Sequence, residues 1–507
     1  MPCVSRLRDA IGLTIVAITV KIPFLTQEAI TFDAERTQYF STWEGLTALV
    51  GQPTMEPHSP LYYAVTFVFR QILGQGHLGL RAPALLSAAL VAPALYLLGR
   101  KLSNRQGALA AGLIAATVPY LTRHGQTARM YATAALLSVV ATILYLRLVD
   151  SGTRRNTVLY GLAASAGVWI HAFGVLIIAS HFVHAVVFER PWETDRLRGI
   201  VSGFTAAIVG SLPVAWLVLA RVASGQTAGG TPEFTLKTVW VSFQGLLKLG
   251  VWTGSYQTFD LARELVALFI LLAVGGLGLR SLYTAKSTLI EDRAVTVPVV
   301  VGAVSLGVIA VVSLLLEPMW AGRRLAIVAP FLYLAVGIGA GRVKREKLAV
   351  TVVVGLVVVF TIGSFLFTAP VARPAWDDGV DYLDANADED DLVVSGNPHP
   401  QPEVEYYRED GDYRHVGIRY DWTEESVSSK VLGPKMVWVI GYSERAEAAR
   451  QVLSGADQYR QQDEIRFNGG LLLTRYERVK ESLPSGGDNS SLSLSRIFYS
   501  RYPKPSD

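Results

Sequence analysis

The sequence has a single cysteine, Cys3, among 507 residues. Neither a disulfide framework nor a cysteine-based zinc site can form within one such chain. Charge is scarce as well. Only 17% of the residues are charged, against about 25% in a soluble protein. With 51% hydrophobic residues, that shortage excludes an ordinary soluble globular protein. No P-loop occurs, and no Gly-x-Gly-x-x-Gly stands at a strand-to-helix turn, so no nucleotide-binding fold is indicated. Nothing asks for a nucleic-acid partner, and the net charge of +4 is too unevenly spread to point to any partner.

Repeated apolar runs of roughly 17–20 residues are what the chain does have, long enough to cross a bilayer core of about 30 Å. Candidate spans lie at 10–25, 79–98, 106–122, 130–149, 156–171, 172–188, 199–219, 261–280, 295–316, 324–341 and 348–368, roughly eleven in all. Arg6 and Arg8 precede the first, and Lys21-Ile22-Pro23 is a poor cleavage site, so it reads as a retained helix rather than a signal peptide. The run Leu61–Leu73 is short and carries Arg70 near its end. Charge decides how it is read. Basic loops at Arg100-Lys101 with Arg105, Arg154-Arg155, 190–198, 286–293 and 342–347 fall on the N-terminal side only if 61–73 does not span. The positive-inside rule then holds throughout, and 61–73 is read as interfacial. This predicts a multi-pass protein of the cell membrane with a cytoplasmic N-terminus and an extracytoplasmic C-terminal domain.

Ionisable residues concentrate in the first outer loop, 23–78, where Ile30–Tyr63 holds Asp33, Glu35, Glu56 and His58. Ionisable side chains beside a membrane are costly and commonly mark a site. The turns 122–130 and 317–324 and the end of the helix at His171 fall on the same face. Arg123, Arg129, Arg323 and Arg324 there run against the positive-inside trend, and an anion such as a phosphate is a physical reason for them. A lipid headgroup or a partner carboxylate is the alternative. Beyond 370 the composition turns acidic, from Asp377 to Asp412. Strand-like runs at Asp391–Ser395, Met436–Ile440 and Gly470–Thr474, with a helix-like run at Ser443–Ser454, predict a small α/β domain over 371–478. Its acidic surface reads as solvation. The tail 479–507 has the composition of a disordered segment.

Phe32-Asp33-Ala34-Glu35, His58-Ser59-Pro60-Leu61-Tyr62-Tyr63, Arg81-Ala82-Pro83-Ala84, Leu97-Leu98-Gly99-Arg100-Lys101-Leu102, Gln126-Thr127-Ala128-Arg129-Met130-Tyr131-Ala132, His171-Ala172-Phe173-Gly174 and Arg324-Leu325 ahead of Ala329-Pro330 follow one another in a fixed order. That order resembles the GT-C fold membrane glycosyltransferases, in particular the family 39 group that includes protein O-mannosyltransferases and aminoarabinose transferases. The match is densest over 23–190 and mostly topological after 200. Two positions depart from it. Ala34 splits the acidic pair, and Thr127 stands where the family has a glutamate. Whether a divalent metal takes part is therefore left open, with Glu56 and His58 able to compensate in part.

The resemblance implies a mainly α polytopic bundle of GT-C type, with interfacial helices in the first outer loop and a small α/β outer domain. It implies sugar transfer from a polyprenyl-phosphate donor, dolichyl or undecaprenyl, to a lipid, glycan or protein acceptor on the outer face. The residues suit that chemistry. An attacking hydroxyl needs a carboxylate within reach to take its proton, and Asp33 is the expected base, with Glu35, Glu56 and His58 as support. The leaving lipid phosphate needs cations rather than a carboxylic acid. Arg129, Arg323 and Arg324 are the candidates, with Arg81 behind them. Tyr62 and His171 are candidates for a sugar pocket. One displacement would invert the anomeric centre. A transporter or flippase of lipid-linked saccharides is the competing class, and it would call for mid-helix charges, broken helices and internal repeats. A sensor working through the acidic domain is a third.

Overall fold

The computed structural model describes residues 2–23, 25, 32–51, 60–223, 233–247, 273, 275–277, 279, 291–368, 375–396, 404, 407–408, 411–418, 424–441, 444–467 and 470–479. The expected span 261–280 and the tail 479–507 lie almost entirely outside these residues. The chain divides into two compact units. One comprises Met1–Asn386, Asn397–Asp410 and Arg466–Leu471; the other comprises Ala387–Gly396, Gly411–Ile465 and Leu472–Asp507.

The first unit is helical. Its helices are α1 (Pro2–Lys21), α2 (Phe32–Phe40), α3 (Trp43–Gly51), α4 (Leu61–Leu73), α5 (His77–Leu102), α6 (Arg105–Thr117), α7 (Pro119–Gln126), α8 (Tyr131–Ser151), α9 (Arg154–Ile170), α10 (Gly174–His184), α11 (Leu197–Ala223), α12 (Leu236–Leu247), α13 (Arg293–Leu315), α14 (Ala329–Gly341), α15 (Glu346–Thr368) and α16 (Trp376–Asn386). Among the described residues, α5, α8, α11, α13 and most of α15 are long and apolar enough to cross a membrane. The expected span 106–122 is two helices. Pro119 has no N–H and disfavours helical geometry at the residue before it, and Val118 is extended. The Ala115 carbonyl thereby loses its helical donor. The buried Lys21 ammonium replaces it, donating to Ala115 O at 3.3 Å and Ala116 O at 2.6 Å.

Ion pairs tie one end of the bundle. Arg293 grips Glu189 at 2.6 and 2.5 Å and reaches Asp150 at 2.6 Å, and Asp150 also pairs with Lys101. Arg342 pairs with Asp292, the N-cap of α13. Asp9 near the start of α1 accepts from Arg105 and Tyr96. Asn104 caps α6 and donates to Gly341 O at 2.7 Å. The basic loops and the start of α1 therefore share one end. At the other end, Arg81 near the start of α5 donates to Leu25 O just past α1. The chain leaves α1 and enters α5 at the same end, so α4 between them does not cross.

Polar side chains also join the helices inside the bundle. His181 bonds Thr142 at 3.0 Å and Tyr160 at 3.3 Å; His184 bonds Tyr145 and Thr296, each at 2.9 Å.

The second unit holds a five-stranded sheet in the order β2-β1-β3-β5-β4. Its strands are β1 (Leu392–Ser395), β2 (Arg414–Gly417), β3 (Met436–Gly441), β4 (Tyr459–Arg466) and β5 (Leu472–Arg478). β1 runs parallel to β2 and β3, and β5 is antiparallel to β3. α17 (Glu424–Val431) and α18 (Glu444–Gly455) pack Val427, Val431, Ala446, Ala449 and Leu453 against Leu392, Val394, Val437 and Val439. Three strands expected from sequence are present, and β2 and β4 are additional. The acidic run is not solvation throughout, because Asp391 is buried and accepts from the Trp438 indole at 2.8 Å.

Candidate active site

The described candidates Tyr62, Arg81, Arg129, His171, Arg323 and Arg324 lie toward the end of the bundle opposite the ion pairs. One small buried cluster lies beside several of them. Ala34 of α2, Leu80 of α5 and Ala128 of the turn before α8 are all buried and pack together. Each is the chain neighbour of a candidate: Ala34 of Asp33 and Glu35, Leu80 of Arg81, Ala128 of Arg129. Ala34, which interrupts the acidic pair in the sequence, is thus a member of the buried cluster that also holds Leu80 and Ala128. The side chains of Asp33 and Glu35 lie outside the described residues, as do Glu56 and His58 altogether.

Arg129 is buried, and the fully buried Tyr62 of α4 lies in its field. Beyond the turn, α7, α8, the α9–α10 connection and the 3₁₀ turn Gly322–Ile327 converge. The Tyr120 hydroxyl donates to Gly322 O at 2.8 Å, which fixes α7 against the turn carrying Arg323 and Arg324. His124 stands edge-on to Tyr120 at 4.5 Å and tilted against Tyr131 at 5.2 Å. Tyr131 in turn faces His171 at 5.8 Å, and His171 meets Phe173 at 5.2 Å. Arg324 lies 5.6 Å from the Phe173 ring centre and donates to Met319 O at 2.8 Å. Burial holds His124 down to about 3, with the charges of Arg123 and Arg323 adding to it, so the imidazole is neutral.

Gly174 shows why the His171 connection is so tight. A Cβ there would come within 2.5 Å of the Gly167 backbone, closer than real side chains approach. The Gly174 N–H donates to His171 O at 2.7 Å, and His171 Nδ1 accepts from the Phe173 N–H at 3.2 Å.

Arg129 with Tyr62, and Arg323 and Arg324 with His171, are therefore joined through the turn 127–130 and Tyr131. Arg81 is set one step back and anchors the exit of α1. His124, Tyr120 and Tyr131 are members of the cluster that sequence reasoning passed over, although His124 lies within the turn that carried Arg123 and Arg129. Among the described residues no three His, Cys, Asp or Glu side chains are grouped to hold a metal.

Comparison with known proteins bears on the fold that carries these residues. Residues 57–216 match the family model for dolichyl-phosphate-mannose-protein mannosyltransferase. No curated protein matches the sequence. Among solved structures, ArnT from Cupriavidus metallidurans in the apo state superposes with a TM-score of 0.58 at 14% identity, covering 92% of this chain and 97% of that one. ArnT bound to undecaprenyl phosphate gives 0.56 at 13%, covering 93% and 97%. The oligosaccharyltransferase AglB from Archaeoglobus fulgidus, in complex with an inhibitory peptide and a dolichol-phosphate, gives 0.51 at 11%, covering 95% and 75%. The fold is that of the GT-C membrane glycosyltransferases. Over 57–216 the chain carries the mannosyltransferase family's pattern, as its motifs indicated.

Proposed function

We propose that the protein is a membrane glycosyltransferase that moves a sugar from a polyprenyl-phosphate donor to an acceptor on the extracytoplasmic face, with inversion. Asp33 takes the proton from the attacking hydroxyl. Arg129, with Arg323 and Arg324, meets the lipid phosphate as it leaves, and Tyr62 and His171 border the sugar. The observation that supports this reading is the buried cluster of Ala34, Leu80 and Ala128, chain neighbours of Asp33, Arg81 and Arg129. Displacement needs that pairing: a base on one side of the anomeric carbon and cations on the departing oxygen. The binding of undecaprenyl phosphate by ArnT and of dolichol-phosphate by AglB supports a polyprenyl-phosphate donor here. The N-terminus and the ion-paired end face the cytoplasm on this reading, and 371–478 forms the outer domain.

The test is transfer from radiolabelled polyprenyl-phosphate sugars in membranes containing the wild type or Asp33→Asn. The substitution is nearly isosteric. Loss of about 10²–10⁴-fold is expected for a removed base. Unchanged transfer in the variant would move the base to Glu35 or Glu56, and no transfer in either protein would favour a carrier of lipid-linked saccharides.

A further inference from the structure

The arginine cluster can recognise an anion, but it cannot recognise a sugar. Guanidinium groups only donate hydrogen bonds. A sugar hydroxyl both donates and accepts, so telling one sugar from another requires acceptors among the donors. Within this end of the bundle His124 offers what the arginines lack, a ring nitrogen able to accept a hydrogen bond. Its Nδ1 is buried and makes no hydrogen bond with any described residue. Tyr120 and Tyr131 close the ring on two sides. Arg123 and Arg323 act on it electrostatically. A buried polar nitrogen left without a partner is disfavoured by the cost of stripping its water, so it is conspicuous beside groups that already recognise an anion.

Resting on the functional reading above, we propose that His124 is a specificity-determining residue whose imidazole accepts or donates one hydrogen bond to a hydroxyl of the sugar carried by the lipid phosphate. Three features combine to suit it. The tyrosine rings fix the plane of the imidazole, so the nitrogen points in a constant direction. Burial, with the neighbouring guanidiniums adding to it, keeps the ring neutral, which preserves one acceptor and one donor. Of these, Arg323 joins Arg129 and Arg324 at the phosphate on the reading above, leaving the imidazole for the adjoining sugar. A buried histidine that merely packs would gain nothing from leaving a nitrogen unsatisfied; a phenylalanine would fill the space at lower cost.

The experiment measures binding, not turnover. Purified wild type, His124→Phe and His124→Asn are titrated with polyprenyl phosphate and with the same lipid bearing mannose, glucose, galactose, arabinose or aminoarabinose. Wild type is expected to bind one sugar-bearing lipid more tightly than the bare lipid. His124→Phe should lose that preference by about tenfold, the scale of one hydrogen bond, while binding bare polyprenyl phosphate as wild type does. Unchanged binding of the bare lipid also reports an intact fold. His124→Asn, whose side-chain oxygen falls near the position of Nδ1, should restore most of the preference. The assignment is overturned if His124→Phe keeps the wild-type preference, if it weakens both kinds of lipid equally, or if His124→Asn behaves as His124→Phe. Wild type that binds neither kind of lipid would overturn the functional reading, and this assignment with it.

Discussion

Arg70, the charge that interrupts the short apolar run, offers a sharp test of how α2 is held. It is buried, and one of its guanidinium nitrogens donates to Gln38 O at 2.6 Å and to Ser41 Oγ at 2.9 Å. Both acceptors lie at the corner between α2 and α3, while Arg70 belongs to α4. Each charge-assisted bond contributes about 1.5–3 kcal/mol. Removing the arginine also removes the cost of burying its charge, which offsets part of that loss. The net expectation for Arg70→Met is about 2–3 kcal/mol of weaker docking, allowing for that offset. The α2–α3 corner should then open about 30- to 150-fold more often, because each 1.4 kcal/mol is a factor of ten. Contacts such as Phe40 on Tyr63, at 5.5 Å, remain and confine the effect to the corner. Amide hydrogen exchange of residues 37–46 in detergent or nanodiscs reads this directly. Transfer should fall about tenfold, because a misplaced base loses its orientation. Exchange at 37–46 within threefold of wild type, in a folded variant, would refute the anchoring role; faster exchange spread over the whole bundle would show that Arg70 supports global stability instead.

Lys21→Met should lower thermal stability by about 1–3 kcal/mol, the cost of leaving a buried carbonyl unpaired. In a Pro119→Ala background the loss should shrink by about 1 kcal/mol, since residue 119 again offers an N–H to Ala115 O. An equal loss in both backgrounds would refute the link. Bare polyprenyl phosphate at about 100 times its Kd should stabilise the wild type by about 2.7 kcal/mol. Arg129→Met should abolish most of that shift, and a full shift in the variant would remove Arg129 from the phosphate site.

The bundle was legible because its signals are local and redundant. Apolar runs mark helices one at a time, and the basic loops then fix which ends belong together. For the doubtful segment 61–73 the same charges favour an interfacial reading, and the structure shows it as the short helix α4. The break at Val118 was not legible, because a proline near a helix end does not by itself say whether the helix bends or stops. The arginines proposed for the lipid phosphate stood out as charges that run against the expected orientation. The partnership of Tyr120, His124 and Tyr131 did not, since it forms across α7 and α8 and no spacing in the sequence encodes it. In the second unit, β2 and β4 escaped because they are polar: β4 reads Tyr-Arg-Gln-Gln-Asp-Glu-Ile-Arg and is exposed along most of its length. Edge strands with one solvated face carry little apolar signal.

The two ends of the bundle place charge in opposite ways. At one end Arg293 sits between Glu189 and Asp150, Arg342 meets Asp292 and Arg105 meets Asp9. Each of these three cations has a carboxylate within contact distance. At the other end Arg323 acts against both His124 and its own neighbour Arg324. Placing like charges together on a partly buried surface lowers stability unless an anion joins them. The ion pairs cross-brace the helices at the first end. Arg81, Lys21 and Arg70 brace the other end through backbone carbonyls rather than carboxylates, so on the proposed reading its arginines can meet an anionic ligand without first breaking that bracing.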